Sequence, residues 1–150
     1  MDNITYSEAK KTDIPILINL LSTLFDIEKD FNPDITKQRN GLELLVNNKT
    51  ATIKVARNCK GKVIGMVTAQ LVISTAQGTH SAWIEDMVVD SSYRGHGIGK
   101  QLLQHVLEWA RTNGATRAQL LVDITNTEAL GYYEHLQWAS TKLQARRIFL

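Results

Sequence analysis

The sequence predicts a mixed α/β (α+β) fold, and three observations carry that reading. β-Branched and aromatic runs at 51–57, 63–74 and 83–89 follow one another across short polar turns, as in a hairpin-linked sheet. Two stretches of helical periodicity precede this block. The last run of the block passes through a glycine-rich turn into an amphipathic helix, and one more strand and one more helix follow.

The elements follow in order. Residues 3–8 read as a first strand. Thr12 or Asp13 is placed to cap a helix with Pro15 in its first turn and Ile14, Leu17, Ile18, Leu21 and Leu24 as its apolar stripe. Residues 26–34 form a polar, proline-containing loop, and 35–47 a second helix through Leu42, Leu45 and Val46. The turn at 58–62 joins the first two strands of the block, and 75–80 links the second to the third. Residues 83–89 read as a buried strand. After it, Ile98, Leu102, Leu103, Val106, Leu107 and Ala110 share one helical face, with Lys100, Gln101, Gln104, His105, Glu108 and Arg111 opposite. Residues 118–122 read as a further strand, and 126–138 carry a last helix.

The run Tyr93-Arg94-Gly95-His96-Gly97-Ile98-Gly99-Lys100 joins strand to helix. Glycine lets a backbone approach a ligand closely, and a helix start offers unpaired N–H groups at the positive end of the macrodipole. Arg94 and Lys100 add charge, so the turn suits a phosphate or pyrophosphate. An ordinary strand-to-helix turn is the plain alternative. A P-loop is excluded because Lys100 is followed by Gln101, and a dinucleotide turn because Gly95, Gly97 and Gly99 are spaced too tightly. What fits is Arg-x-x-Gly-x-Gly on Arg94, Gly97 and Gly99. Downstream, Asn126, Ala129, Tyr132, Tyr133 and Glu134 fall in the pattern Asn-x-x-Ala-x-x-aromatic-Tyr-Glu.

These two motifs, in this order and spacing, resemble the GNAT superfamily of N-acyltransferases. The matched segment covers about 83–138, and it departs from the pattern at Gln137, where Gly is usual, and at Trp138, where Phe is usual. The resemblance implies a mixed, mostly antiparallel sheet with helices on both faces and a splayed parallel strand pair, and an element order that ends in a strand after the last helix. It implies acetyl-CoA as co-substrate, held by Met87, Val88 and Val89 through the backbone and by Arg94, Gly95, His96, Gly97, Ile98, Gly99, Lys100 and Asn126. Asn126 could equally cap its own helix. Tyr133 is placed as the acid that protonates the departing thiolate, while Tyr132, one position on, should pack. Glu85 and Asp86 are candidates for the base that takes the amine's proton. Strand alternation puts them on opposite faces and gives Glu85 the parity of Met87 and Val89, which sets Glu85 slightly ahead.

Composition bounds the rest. At 150 residues and 43% hydrophobic the chain is expected to form one domain, 1–150. A single cysteine, Cys59, excludes an internal disulfide framework and suits a reducing cytoplasm. No apolar run reaches a membrane span, and the start lacks the apolar segment of a signal peptide. A net charge of +2 speaks against nucleic acid as partner. His80, His96, His105 and His135 lack metal-ligand spacing, so no metal is expected, and each reads as solvated. The expected partner is a small-molecule or peptide amine, without a membrane; a homodimer is compatible. Asp26, Glu28 and Asp30 make the 26–34 loop acidic, which would suit a cationic amine if that loop walls the acceptor site. The expected function is acetyl-CoA-dependent N-acetyl transfer. A non-catalytic acyl-CoA binder of the same fold is the alternative.

Overall fold

The structure, a computed structural model, describes residues 3–150. Two compact parts divide the chain, one running to Gln119 and one from Leu120 onward.

The first part is built on a meander. Strands β1 (Thr5–Glu8), β2 (Ala51–Arg57), β3 (Val63–Ser74) and β4 (Thr79–Val89) lie side by side in chain order, each antiparallel to the last. Strand β5 (Ala115–Leu120) joins beyond β4 and runs parallel to it. Thr79 Oγ1 donates to Gly114 O at 3.0 Å and Ser81 Oγ to Arg117 O at 3.2 Å, so both strands advance together. The strand expected at 118–122 therefore begins three residues earlier. Ala115 is buried and Thr116 is β-branched, while Leu121, beyond the strand, is exposed.

Helices cover both faces of the sheet. Helix α1 (Ile14–Ile27) buries Ile14, Leu17, Ile18, Leu20, Leu21 and Leu24, and α2 (Ile35–Val46) adds Leu42. With Ile53, Val55, Val63, Met66 and Val88 these side chains form one core cluster. Gly65, next to Met66, faces the other side, where a Cβ would stand 3.1 Å from Leu102 of α3 (Ile98–Thr112). Residues 63–69 of β3 are consequently buried without alternation, as in a strand covered on two faces.

The 26–34 loop is pinned at both ends. Phe31 packs on Phe25 with ring centroids 5.5 Å apart. Buried Gln38 donates to Ile18 O at 3.0 Å and to Ser22 Oγ at 3.1 Å, and accepts from Asp34 N–H at 2.7 Å. Asp34 caps α2 by accepting from Lys37 N–H at 3.0 Å. The expected cap of α1 is different. Asp13 stands at the N-cap position, but its carboxylate is taken by Lys10 N–H at 2.7 Å and by Arg57. His105 is exposed, as expected, and its ring stacks on Tyr6 with centroids 4.8 Å apart.

The second part holds helix α4 (Thr127–His135). Its C-terminus is a Schellman motif: Trp138 N–H donates to Tyr133 O and Gln137 N–H to Glu134 O, both at 2.9 Å. Gln137 takes φ +66°, the left-handed value that explains why glycine is usual there. The final strand expected after α4 does not form. Residues 139–150 lie in no helix or strand and are exposed throughout, and without a ladder partner an extended segment leaves its backbone to water.

Asp13 and Arg57 form a two-pronged ion pair, at 3.0 and 2.7 Å, between the start of α1 and the end of β2. Only 11% of the Asp13 side chain and 17% of the Arg57 side chain reach solvent. Asp13→Ala should cost about 3 kcal/mol, the lower end for breaking a buried pair, or a Tm drop of roughly 6–12 °C. The Arg57 hydrogen bond holds the Asp13 carboxyl below its ordinary 3.8. A depressed folded-state value means the pair stabilises fully above that ordinary value and is lost as pH falls through the folded one. Thermal unfolding at pH 7 and pH 3 checks this: the deficit of the variant should shrink in acid, and a constant deficit would mean packing alone.

Candidate active site

The chemistry-bearing residues of the first part cluster along the β4-to-α3 passage. In the β3–β4 ladder Met66 faces Val88 and Thr68 faces Glu85. One residue of β3, Val67, is thus opposed by two of β4, Asp86 and Met87, which is a β-bulge. The bulge corrects the alternation expected from sequence, since parity no longer relates Glu85 to Met87 and Val89. It also takes the backbone of 86–87 out of the ladder with β3. On the other edge, β5 starts level with Thr79 and is six residues long against eleven in β4. β5 therefore ends short of Val89, and no other strand of the sheet lies on that side of β4 among the described residues.

Asp86 sits at the bulge with φ +53°, a value that aspartate tolerates better than most side chains. Its carboxylate is partly buried and accepts from Thr68 Oγ1 at 3.3 Å. Burial raises its pKa from 3.8 to about 6, and the charges of Glu85 and of Glu28, just beyond α1, push the same way. The Thr68 hydroxyl opposes them. Glu85 itself is exposed and accepts from its own strand neighbour, Trp83 Nε1, at 2.7 Å. Asp26 and Asp30 are exposed, so within the acidic loop the charge that acts on Asp86 is that of Glu28.

Beyond Val89, Asp90 caps one 3-10 turn, Ser91–Tyr93, by accepting from Ser92 N–H at 2.9 Å. Arg94 Nε then donates back to Val89 O at 3.0 Å, tying the loop to the strand end. His96 turns Nδ1 onto Arg94 O at 2.8 Å. Gly95 and Gly97 adopt φ +79° and +75°, and a Cβ at either would meet no atom within 4 Å, so both face open space. Gly97 occupies the N-cap of α3 without any side-chain cap. The first helical bond runs from Gln101 N–H to Gly97 O, which leaves the N–H groups of Ile98, Gly99 and Lys100 ahead of the ladder. Such a bare helix start, flanked by Arg94 and Lys100, fits an anion.

Two contributors were not singled out from sequence. Thr68 had a signal, a hydroxyl inside the apolar run Val63-Ile64-Gly65-Met66-Val67-Thr68-Ala69. Asn58 looked like a plain turn residue, yet it is buried, accepts from Lys60 and Lys62 N–H, and donates to Tyr93 Oη at 3.0 Å. Through that bond the β2–β3 turn supports the residue that enters the glycine loop.

In the second part, Asn126 caps α4, accepting from Ala129 N–H at 3.0 Å. Tyr133 lies between Tyr132 and Trp138, edge to face, with centroids at 5.5 and 5.9 Å. Burial raises the Tyr132 phenol above its ordinary value. No three His, Cys, Asp or Glu side chains gather as metal ligands among the described residues.

A family model described as Acetyltransferase (GNAT) family matches residues 17–138. Glucosamine 6-phosphate N-acetyltransferase from Trypanosoma brucei brucei is 35% identical over 89 residues, 57% of this chain and 57% of that protein. The chain thus spans little more than half of that relative. Among solved structures, a possible acetyltransferase from Clostridium difficile 630 has a TM-score of 0.86 at 19% identity, covering 98% of this chain and 97% of that one. A predicted acetyltransferase from Clostridium acetobutylicum, solved with acetyl-CoA, has a TM-score of 0.80 at 14% identity, covering 97% and 96%. At these identities the structural likeness shows a shared fold.

The electrostatics of Asp86 give a stability test. Its folded-state pKa is raised, so the stability it contributes is full below 3.8 and is lost as pH rises through about 6. Asp86→Asn, which keeps the left-handed backbone but sheds the charge, should unfold at higher temperature than the parent at pH 8. The gap should close toward pH 4. An equal gap at both pH values would show that Asp86 is not strained by its own charge.

Proposed function

The chain belongs to the GNAT acetyltransferase family, and we propose that it transfers an acetyl group from acetyl-CoA directly to a cationic primary amine in a ternary complex. The observation that carries this reading is the β4-to-α3 passage, where a carboxyl group of raised pKa at Asp86 and an uncapped helix start at Gly97 lie on one continuous segment. Acetyl-CoA supplies an activated acyl thioester. The N–H groups of Ile98, Gly99 and Lys100 with the open faces of Gly95 and Gly97 would hold its pyrophosphate, assisted by Arg94 and His96. Backbone groups of Met87, Val88 and Val89 would align the arm and offer an N–H to the developing oxyanion, a role worth about 2.7–4 kcal/mol in comparable sites. Holding both substrates at once contributes more, roughly 7–11 kcal/mol.

Asp86 takes precedence over Glu85 as base in this reading. A carboxylate with pKa about 6 is ionised at neutral pH yet accepts a proton more readily than one at 3.8. It removes the proton of the ammonium, directly or through water, so that the amine nitrogen attacks as the free base. Tyr133 is assigned the opposite duty, donating its phenolic proton as the C–S bond breaks, while Asn126 shapes the start of its helix. Glu28 and Glu85 add negative potential beside Asp86, which favours a cation and disfavours a phosphate-bearing acceptor such as that of the trypanosome relative. A cytoplasmic setting belongs to the same reading.

Two experiments test it. Replacing Arg94 with Ala and Gly97 with Asp removes a positive charge and puts a carboxylate and its bulk into the cradle, so acetyl-CoA affinity by calorimetry should fall at least tenfold; unchanged affinity would remove the loop from the site. The second is an amine panel read by free coenzyme A release. Polyamines and lysine derivatives should outpace glucosamine 6-phosphate, and Tyr133→Phe should lower kcat on the best amine by roughly 10²–10⁴-fold with acetyl-CoA binding intact. Acetyl-CoA binding with no turnover on any amine would instead identify a non-catalytic acyl-CoA binder.

A further inference from the structure

We propose that Thr68 is a positioning residue: from the buried middle of β3, its hydroxyl holds the Asp86 carboxylate in the left-handed bulge of β4. The inference rests on Asp86 being the base. Thr68 is 1% exposed, on a strand segment covered on both faces. A hydroxyl in such a place is costly unless it is hydrogen-bonded, and its partner here is Asp86 Oδ2 at 3.3 Å. Threonine is β-branched and stiff at χ1, so the packed γ-methyl fixes where Oγ1 points. The bulge makes the contact possible. Because Asp86 and Met87 together oppose Val67, Asp86 leaves strict alternation and its carboxylate comes within reach of a β3 side chain one position along.

The consequence is electrostatic as well as steric. The charged groups acting on Asp86 are Glu85 on its own strand and Glu28 beyond α1, and both favour the protonated, inactive carboxyl. Burial does the same, and Thr68 is the group that favours the ionised form. Without the hydroxyl a larger fraction of the protein would carry a neutral Asp86 at physiological pH. Thr68 would then set the lower edge of the working pH range without touching either substrate.

The test compares Thr68→Val, nearly isosteric but without the donor, with Thr68→Ser, which keeps it. The primary readout is carboxyl-carbon NMR titration of Asp86 in the full chain, which needs no amine. Thr68→Val should move the Asp86 titration, and the acid limb of kcat/KM for the best amine, upward by roughly one pH unit. KM for acetyl-CoA should not change, and Thr68→Ser should restore both curves. If Thr68→Val does not fold, Thr68→Ala carries the same expectation. Coincident Asp86 titrations in the parent and the donor-less variant would overturn the proposal, leaving Thr68 as packing. A parent-like acid limb in Asp86→Asn would instead overturn the reading of Asp86 as base, and the NMR titration keeps the two failures apart.

Discussion

One extra residue in β4 sets the geometry on which the rest of the candidate site depends. A regular ladder would commit every backbone group of that strand to β3 and would alternate its side chains strictly between the two helical layers. Opposing two residues to one at Val67 breaks both commitments locally. It frees a short piece of main chain beside the stretch of β4 that β5 does not reach. It also turns a carboxylate into a partly buried position that no alternating strand would give it. The cost is a non-glycine residue at φ +53°, and an aspartate is among the side chains that bear this best. Sheet pairing on either side of the bulge, Gly65 with Val89 and Ala69 with Ile84, over-determines the distortion and holds it in place.

Asp13 and Asp86 show how the same fold treats one chemical group in two ways. Asp13 is given a guanidinium at two-pronged distance and a backbone N–H, so its charge is welcome and it ties α1 to β2. Asp86 is given burial, two like charges and one hydroxyl, so its charge is tolerated rather than favoured. The first arrangement consolidates structure. The second keeps a carboxyl group that titrates closer to neutral pH, the arrangement on which the proposed base rests, and it is carried at the expense of stability.

Much of this was legible in the sequence, for identifiable reasons. The apolar stripe from Ile98 to Ala110 and the spacing of Gly95, Gly97 and Gly99 are local signals, and the helix and its bare N-cap follow from them directly. Gln137 was visible as a departure at a position that turns out to require a left-handed backbone. The bulge was not visible, because Trp83-Ile84-Glu85-Asp86-Met87-Val88-Val89 reads equally well as a regular strand, and register is decided by β3. The partner of Asp13 was hidden for a similar reason: Arg57 lies 44 positions away, and capping offered a simpler local use for the carboxylate. The expected strand beyond Trp138 rested on the element order that the family resemblance implies, and a segment without a neighbouring edge does not make a ladder.

The strictly sequential order of β1 to β4 has a consequence for how such a chain is made. Each strand of β1 to β4 pairs with the strand synthesised just before it, so the register of the bulge depends on no strand that emerges later. A chain leaving the ribosome could set Asp86 against Thr68 while α3 and everything beyond it are still being translated. Only β5, returning parallel across α3, must wait for its crossover to close. The strand order is thus compatible with vectorial assembly, with the candidate base paired early and the parallel edge added last.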